Sequence, residues 1–160
     1  VWDAVADLER SRTYAAETRA FEGTLAESPL TFAEITDIVS ALTATSWWAH
    51  HGFGPVHVER GVGVRIHSQA CSASGSIVIS EAQQTPATVA HELAHLCGGV
   101  GHDAIFRGGE LAIVAAICGP RAARILRDEF DRDSLAIITI DPVTDWPDGL
   151  LANHPRFRSP

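Results

Sequence analysis

Between Val89 and Phe106 the chain reads VAHELAHLCGGVGHDAIF, and the histidines and the glutamate of that stretch could carry hydrolytic chemistry. His91, Glu92 and His95 stand in the spacing H-E-x-x-H. Residues four apart on a helix share one side, so His91 and His95 can grip one metal ion while Glu92 sits beside its open coordination position. A hydrolytic zinc centre needs three protein ligands and a fourth place for water, whose pKa the ion lowers to about 7. His91, His95 and one further residue would hold a single Zn2+ ion. Glu92 is the candidate general base, taking a proton from the activated water and passing it to the leaving amine.

The third ligand is open among three residues. His102 follows a glycine-rich reversal, Gly98, Gly99 and Gly101, which lets the backbone turn back toward the metal at little steric cost. Asp103 is a rival, or else an acceptor that fixes an imidazole tautomer. Glu110, fifteen positions after His95, is the other alternative. Nitrogen suits zinc and the turn delivers His102 first, so the expected metal set is His91, His95 and His102.

These residues need elements to hold them. Thr85 is a plausible N-cap and Pro86 suits a first helical position, so a helix is expected from there to about Cys97, where Gly98 and Gly99 stop it. Val89, Leu93 and Leu96 fall on the side opposite His91 and His95, which lets the helix sit in a core and show its histidines to a cleft. Upstream, residues 3–21 read as a helix with a loose apolar stripe of Val5, Leu8, Ala15 and Phe21. Thr31 and Glu34 make a capping box ahead of Phe32, Ile35, Ile38, Val39 and Leu42, and Trp47 and Trp48 are expected to cap a core.

Alternating segments at Val56 and Val58, Val64 and Ile66, and Ile77 and Ile79 suggest a small, mostly antiparallel sheet, with SIVIS (Ser76–Ser80) as its last strand, lining the cleft. Downstream, residues 103–117 read as a helix despite Gly108 and Gly109. Gly119-Pro120 opens another to about Asp131, and Leu135–Ile140 has the character of a strand. The fold class expected is α+β, with one domain over residues 1–140 and a proline-bearing tail over 141–160 that wraps the surface or is flexible.

Composition narrows the partners. With 160 residues, 46% of them apolar, the chain can bury a real core. A net charge of -8 disfavours nucleic acid and leaves a peptide or protein substrate as the natural partner. Cys71, Cys97 and Cys118 are an odd set without paired spacing, which favours a reducing compartment. No apolar run reaches membrane-spanning length and the first residues show no signal-peptide pattern, so a cytoplasmic location is expected.

The metzincin pattern H-E-x-x-H-x-x-G-x-x-H matches as far as Gly98 but puts Gly101 where its third histidine belongs, and the chain has no methionine for a Met-turn. The chain more closely resembles SprT-like and minimal gluzincin-like proteins, in which H-E-x-x-H is followed by a short H-G-P-x-F segment. Here that segment is His102-Asp103-Ala104-Ile105-Phe106, with the histidine and phenylalanine kept and the Gly-Pro replaced. SRTYAAE (Ser11–Glu17), SWW (Ser46–Trp48), VAHELAH and the H-xxx-F segment together resemble a small family of metallohydrolases of actinobacteria and their phages, over roughly residues 8–130. That resemblance implies a compact zincin-like domain and a hydrolase activity without a defined substrate.

The functional expectation is a zinc metallopeptidase in which an extended peptide adds to the edge of SIVIS. The alternative is a noncatalytic, metal-stabilised protein-binding module. Tyr14 and Arg107 could touch substrate, but packing for the tyrosine and solvation for the arginine are the simpler readings. Cys97 reads as an inert buried thiol, and His50, His51, His57, His67 and His154 as surface or loop residues.

Overall fold

The computed structural model describes residues 2–51, 54–62, 67–99 and 101–157, with side chains from residue 9 onward. Six α-helices surround a three-stranded sheet: α1 (Trp2–Phe21), α2 (Phe32–Thr43), α3 (Ser46–His50), β1 (His57–Gly61), β2 (Gln69–Cys71), β3 (Ser76–Ser80), α4 (Pro86–His95), α5 (Ala104–Cys118) and α6 (Pro120–Arg132). The architecture is α+β. None of the helices is long and apolar enough to cross a membrane.

Local chemistry accounts for most helix boundaries. Thr31 and Glu34 close the capping box at the start of α2, which buries Ile35, Ile38, Val39 and Leu42. Thr85 accepts from the Thr88 amide at the start of α4, with Pro86 in the first turn. Helix α4 stops at His95, two residues before Cys97, because Gly98 and Gly99 take the left-handed conformation at φ +88° and +91° and the chain reverses. Val89, Leu93 and Leu96 are buried as the core face of α4.

In α1 the buried positions are Thr13, Ala16, Ala20 and Phe21, and Ala15 is exposed; Val5 and Leu8 lie outside the described side chains. The expected stripe is therefore displaced at Ala15. The small residues Thr13, Ala16 and Ala20 face inward because α1 packs closely along α6, joined by Arg19 to Glu129 and Asp133 at 2.6 Å each. Trp47 and Trp48 are buried as expected, and their indole nitrogens donate to the carbonyls of Asp141 and Gly54.

The sheet is mixed, not mostly antiparallel. Its order is β1-β3-β2, with β1 parallel and β2 antiparallel to β3. All five residues of β3 are buried, and a strand so enclosed is stable only between two neighbours that satisfy both of its backbone edges. The hairpin turn after β2 fills one edge, and β1 is left to pair on the other. SIVIS is consequently a central strand with no edge on which a peptide could add. The expected strand at Val64 and Ile66 lies outside the described residues.

Residues 135–140 do not form a strand. They cross the start of α5 as an irregular strap, with the Ile138 amide donating to the Ala104 carbonyl and Arg107 Nε to the Ala136 carbonyl. Among the described residues no strand lies there to pair with them. Close neighbours explain the two helical glycines, the strap at Gly108 and Cys97 at Gly109. A Cβ on Gly108 would stand 1.8 Å from the Ile138 carbonyl oxygen, and one on Gly109 would stand 3.0 Å from Cys97 Cβ. Gly108 admits the strap at a separation that any side chain would prevent, whereas a side chain at Gly109 would require Cys97 to shift.

The described part of the tail is packed. Leu151, in the 3-10 turn Leu150–Asn153, is fully buried, Val143 is buried, and Arg156 pairs with Glu34 at 2.9 Å. Gly108→Ala should lower stability by about 2 kcal/mol, since overpacking against backbone outweighs the roughly 1 kcal/mol gained from helix propensity. Gly109→Ala should cost less. Urea denaturation of both variants checks this, and a neutral or stabilising Gly108→Ala would contradict the strap.

Candidate metal centre

The two histidines of α4 stand one turn apart and their Nε2 atoms are 3.2 Å from each other. His102 reaches the same point from the loop beyond. Its Nε2 is also 3.2 Å from that of His91, and the three nitrogens lie within 4.8 Å of one another. This group could hold a metal ion. A tetrahedral ion with bonds of about 2.0–2.1 Å separates its nitrogen ligands by about 3.3 Å, so the spacing around His91 fits that kind of centre.

The loop that delivers His102 is set from both ends. Gly99 has φ +91° and a Cβ there would stand 2.5 Å from Asp103 Oδ1, so only glycine fits beside that carboxylate. Asp103 Oδ1 accepts from the amides of Ile105 and Phe106 and caps α5. Arg107 donates to the His102 carbonyl. The arginine is 1% exposed and not solvated; its Nε and one terminal nitrogen donate to the backbone carbonyls of Ala136 and His102.

Phe106, in the first turn of α5, packs against all three imidazoles of the group. Its ring centroid lies 5.0 Å from His91, 4.6 Å from His95 and 4.8 Å from His102. On the opposite side Tyr14 stacks on His91 at 5.1 Å, with 18° between the planes, and meets His102 edge-on at 5.1 Å. Two aromatic rings thereby restrict the imidazoles to the orientations in which their Nε2 atoms converge.

The other nitrogen of His91 is also engaged. Its Nδ1–H donates to Glu17 Oε1 at 2.8 Å, which turns Nε2 toward His95 and His102. Glu110 faces the same Nδ1 at 3.7 Å, away from the Nε2 atoms. Of the three residues considered for the third position, His102 joins the two helical histidines, Asp103 caps a helix and Glu110 lies behind His91.

Burial and then the charge of His91 lower His95 to about 4 and His102 to about 3, so both are neutral at pH 7, the form a metal ligand requires. Burial opposes charge on His91 too, but Glu17 and Glu110 raise it well above the usual histidine range, so without a metal its Nε2 carries the proton that points at His95 and His102, and an ion bound there would replace it. Burial raises Glu92 to about 7, and burial with the facing Glu17 raises Glu110 to about 8.

A cleft of about 600 Å³ runs beside the group, between α1 and the first half of α4. Arg10, Tyr14, Glu17, Thr18, His91 and Glu92 contribute to its walls, with Ser68 and Gln83 on the far side. Strand β3 does not line it. Cys97 turns away, its thiol donating to the Leu93 carbonyl at 3.6 Å. His50, His51, His57 and His154 take no part in the cluster, and His67 is exposed at the cleft rim.

No protein-family model, curated protein or solved structure matches the chain. The site therefore rests on its own geometry. Sequence reasoning missed Glu17, whose partner lies 74 positions away. The available signal was the polar face Arg10, Tyr14 and Glu17, repeating at helical spacing where an apolar stripe would otherwise run.

His102→Ala should weaken zinc binding by more than about 100-fold, beyond the 10- to 100-fold typical of losing a residue that merely supports a ligand. Asp103→Ala should instead cost about 1 kcal/mol of stability through the lost cap and leave affinity far less changed. Competition with a chromogenic chelator and thermal melts separate the two. Equal affinity losses would place Asp103 in the ligand set.

Proposed function

We propose that the chain is a zinc-dependent metallohydrolase with a zincin-like domain, and within that class a metallopeptidase, with His91, His95 and His102 as metal ligands and Glu92 as general base. The observation that carries this reading is three histidine Nε2 atoms converging beside a buried glutamate on the wall of a cleft. A bound zinc ion supplies Lewis acidity, which polarises a substrate carbonyl and acidifies water. The proton transfers fall to the chain. Glu92 follows His91 on α4 and lines the same cleft, where its carboxylate can take the proton of the attacking water and return it to the leaving amine.

Two observations favour turnover over a purely structural metal. Structural zinc sites are closed by four protein ligands, whereas this group has three among the described residues and borders open space. Three of the four segments that resemble actinobacterial and phage metallohydrolases also meet here. Tyr14 and Glu17 of SRTYAAE lie against His91, and Phe106 of the H-xxx-F segment lies against all three imidazoles.

For the substrate, the cleft is lined by Thr18, Ser68, Gln83 and Thr88, each already hydrogen-bonded within the chain, and the polar capacity they retain suits the donors and acceptors of a peptide backbone. A net charge of -8 works against nucleic acid. An extended peptide would lie between α1 and α4, not along β3.

Zinc-loaded protein incubated with a mixture of unfolded peptides should generate new termini detectable by mass spectrometry. Glu92→Gln should keep zinc stoichiometry and melting temperature while losing about 10²- to 10⁴-fold in rate. A wild-type protein that holds zinc yet cleaves nothing, or a Glu92→Gln variant as active as wild type, would sink the catalytic assignment.

A further inference from the structure

Arg10 is the charged residue of the cleft that the chain itself leaves unused. It stands on the face of α1 that also carries Tyr14, Glu17, Thr18 and Phe21 into the cleft, and it is the only arginine of that lining in a chain without lysine. The other arginines of α1 are engaged: Arg12 donates to the Asp133 carbonyl, and Arg19 pairs with Glu129 and Asp133. Arg10 is exposed and makes no hydrogen bond or ion pair among the described residues. Its guanidinium lies over the Tyr14 ring, 5.5 Å from the centroid.

Stacking on an aromatic face holds a guanidinium in place and leaves the N–H groups of its fork free. That planar fork matches a carboxylate, which it can take through two parallel charge-assisted hydrogen bonds. The carboxyl groups of the cleft do not occupy it: Glu17 accepts from His91, and Glu27 from the Gly23 amide at 3.2 Å. The Tyr14 ring beneath Arg10 lies 5.1 Å from both His91 and His102, so a single ring separates the guanidinium from the histidine group. At about 3.3 Å per extended residue, a carboxylate held there lies within about three residues of a carbonyl placed beside the histidines. From Arg10 to Phe21 the cleft follows about 16 Å of α1, room for about five extended residues, and Glu27 lines the far end. A lone cation set against a net charge of -8 suits a single carboxylate and not a polyanion.

We propose that Arg10 is a specificity-determining residue of the cleft, taking a carboxylate that the peptide carries within about three residues of the bond to be cleaved. A free C-terminus and the side chain of an aspartate or glutamate both supply that group. This rests on the metallopeptidase reading above and names the substrate class of the same cleft.

The test uses labelled short peptides that differ only in their carboxylate: none, with an amidated end; a free C-terminus; or one glutamate moved along an amidated chain. Binding to the zinc-loaded Glu92→Gln protein is read by fluorescence anisotropy, and cleavage by the zinc-loaded wild type as kcat and KM. At least one of the two carboxylate arms should bind about 10- to 100-fold tighter than the neutral peptide, as a hydrogen bond between charged groups implies, and which arm does so tells a terminal carboxylate from a side chain. Adding Arg10→Gln should remove that advantage, leave the affinity for the neutral peptide unchanged and leave the melting temperature that of its parent. In cleavage it should raise KM for the favoured peptides with kcat nearly constant. Arg10→Lys should keep part of the preference, and Arg121→Gln, which removes an exposed charge on α6, all of it.

Equal binding of carboxylate-bearing and neutral peptides overturns the proposal. So does a preference that survives Arg10→Gln, or an Arg10→Gln variant that weakens the neutral peptide as much as the others. Peptides held by their carboxylate through Arg10 but never cleaved by the wild type support the carboxylate contact and overturn the catalytic assignment alone.

Discussion

Three imidazole Nε2 atoms directed at one point repel one another unless a positive charge, a proton or a metal ion, lies between them. His91 Nε2 is 3.2 Å from Nε2 of both His95 and His102, and the shape of the molecule around them holds that convergence in place. His91 and His95 are locked by the helix that carries them, whose opposite face is buried through Val89 and Leu93. His102 has no such helix. Its position depends on the Asp103 cap, the Arg107 contact to its carbonyl and a reversal that glycine alone permits at residue 99.

The same constraint reaches outward to elements distant in the chain. Helix α1 lacks a continuous apolar face and is held by Arg19 against α6 on one side and by Glu17 against His91 on the other. The contact that orients His91 therefore also seats the helix forming one wall of the cleft. At the other end, the 135–140 strap lies on Gly108 and engages Arg107, so the support of His102 extends to the Ala136 carbonyl, 29 positions beyond Arg107. Local stability and site geometry are here the same set of contacts.

What the sequence revealed and what it concealed divide along the range of the interactions. Thr31 with Glu34, Thr85 with Pro86, and Gly119-Pro120 mark helix starts because their chemistry is complete within one turn. The glycine-rich reversal before His102 is local in the same sense. The order of the sheet was hidden, since nothing within SIVIS states which strand lies on either edge. Leu135–Ile140 has strand composition but no partner, and pairing is a property of two segments. Arg107 looked solvated because the carbonyls that bury it are contributed by the chain's return over α5. Glu17 could be assigned to His91 only after α1 was placed. The resemblance had nonetheless drawn attention to SRTYAAE, whose tyrosine and glutamate are the residues that touch the histidines.

The central claim is that three histidines, and no cysteine, form a metal centre. X-ray absorption at the zinc edge of the zinc-loaded protein tests it most directly. The expected spectrum has nitrogen or oxygen neighbours at about 2.0–2.1 Å and the outer-shell scattering of three imidazoles, with no sulfur at about 2.3 Å. Sulfur in the first shell, fewer than three imidazoles, or a protein that retains no zinc would contradict it.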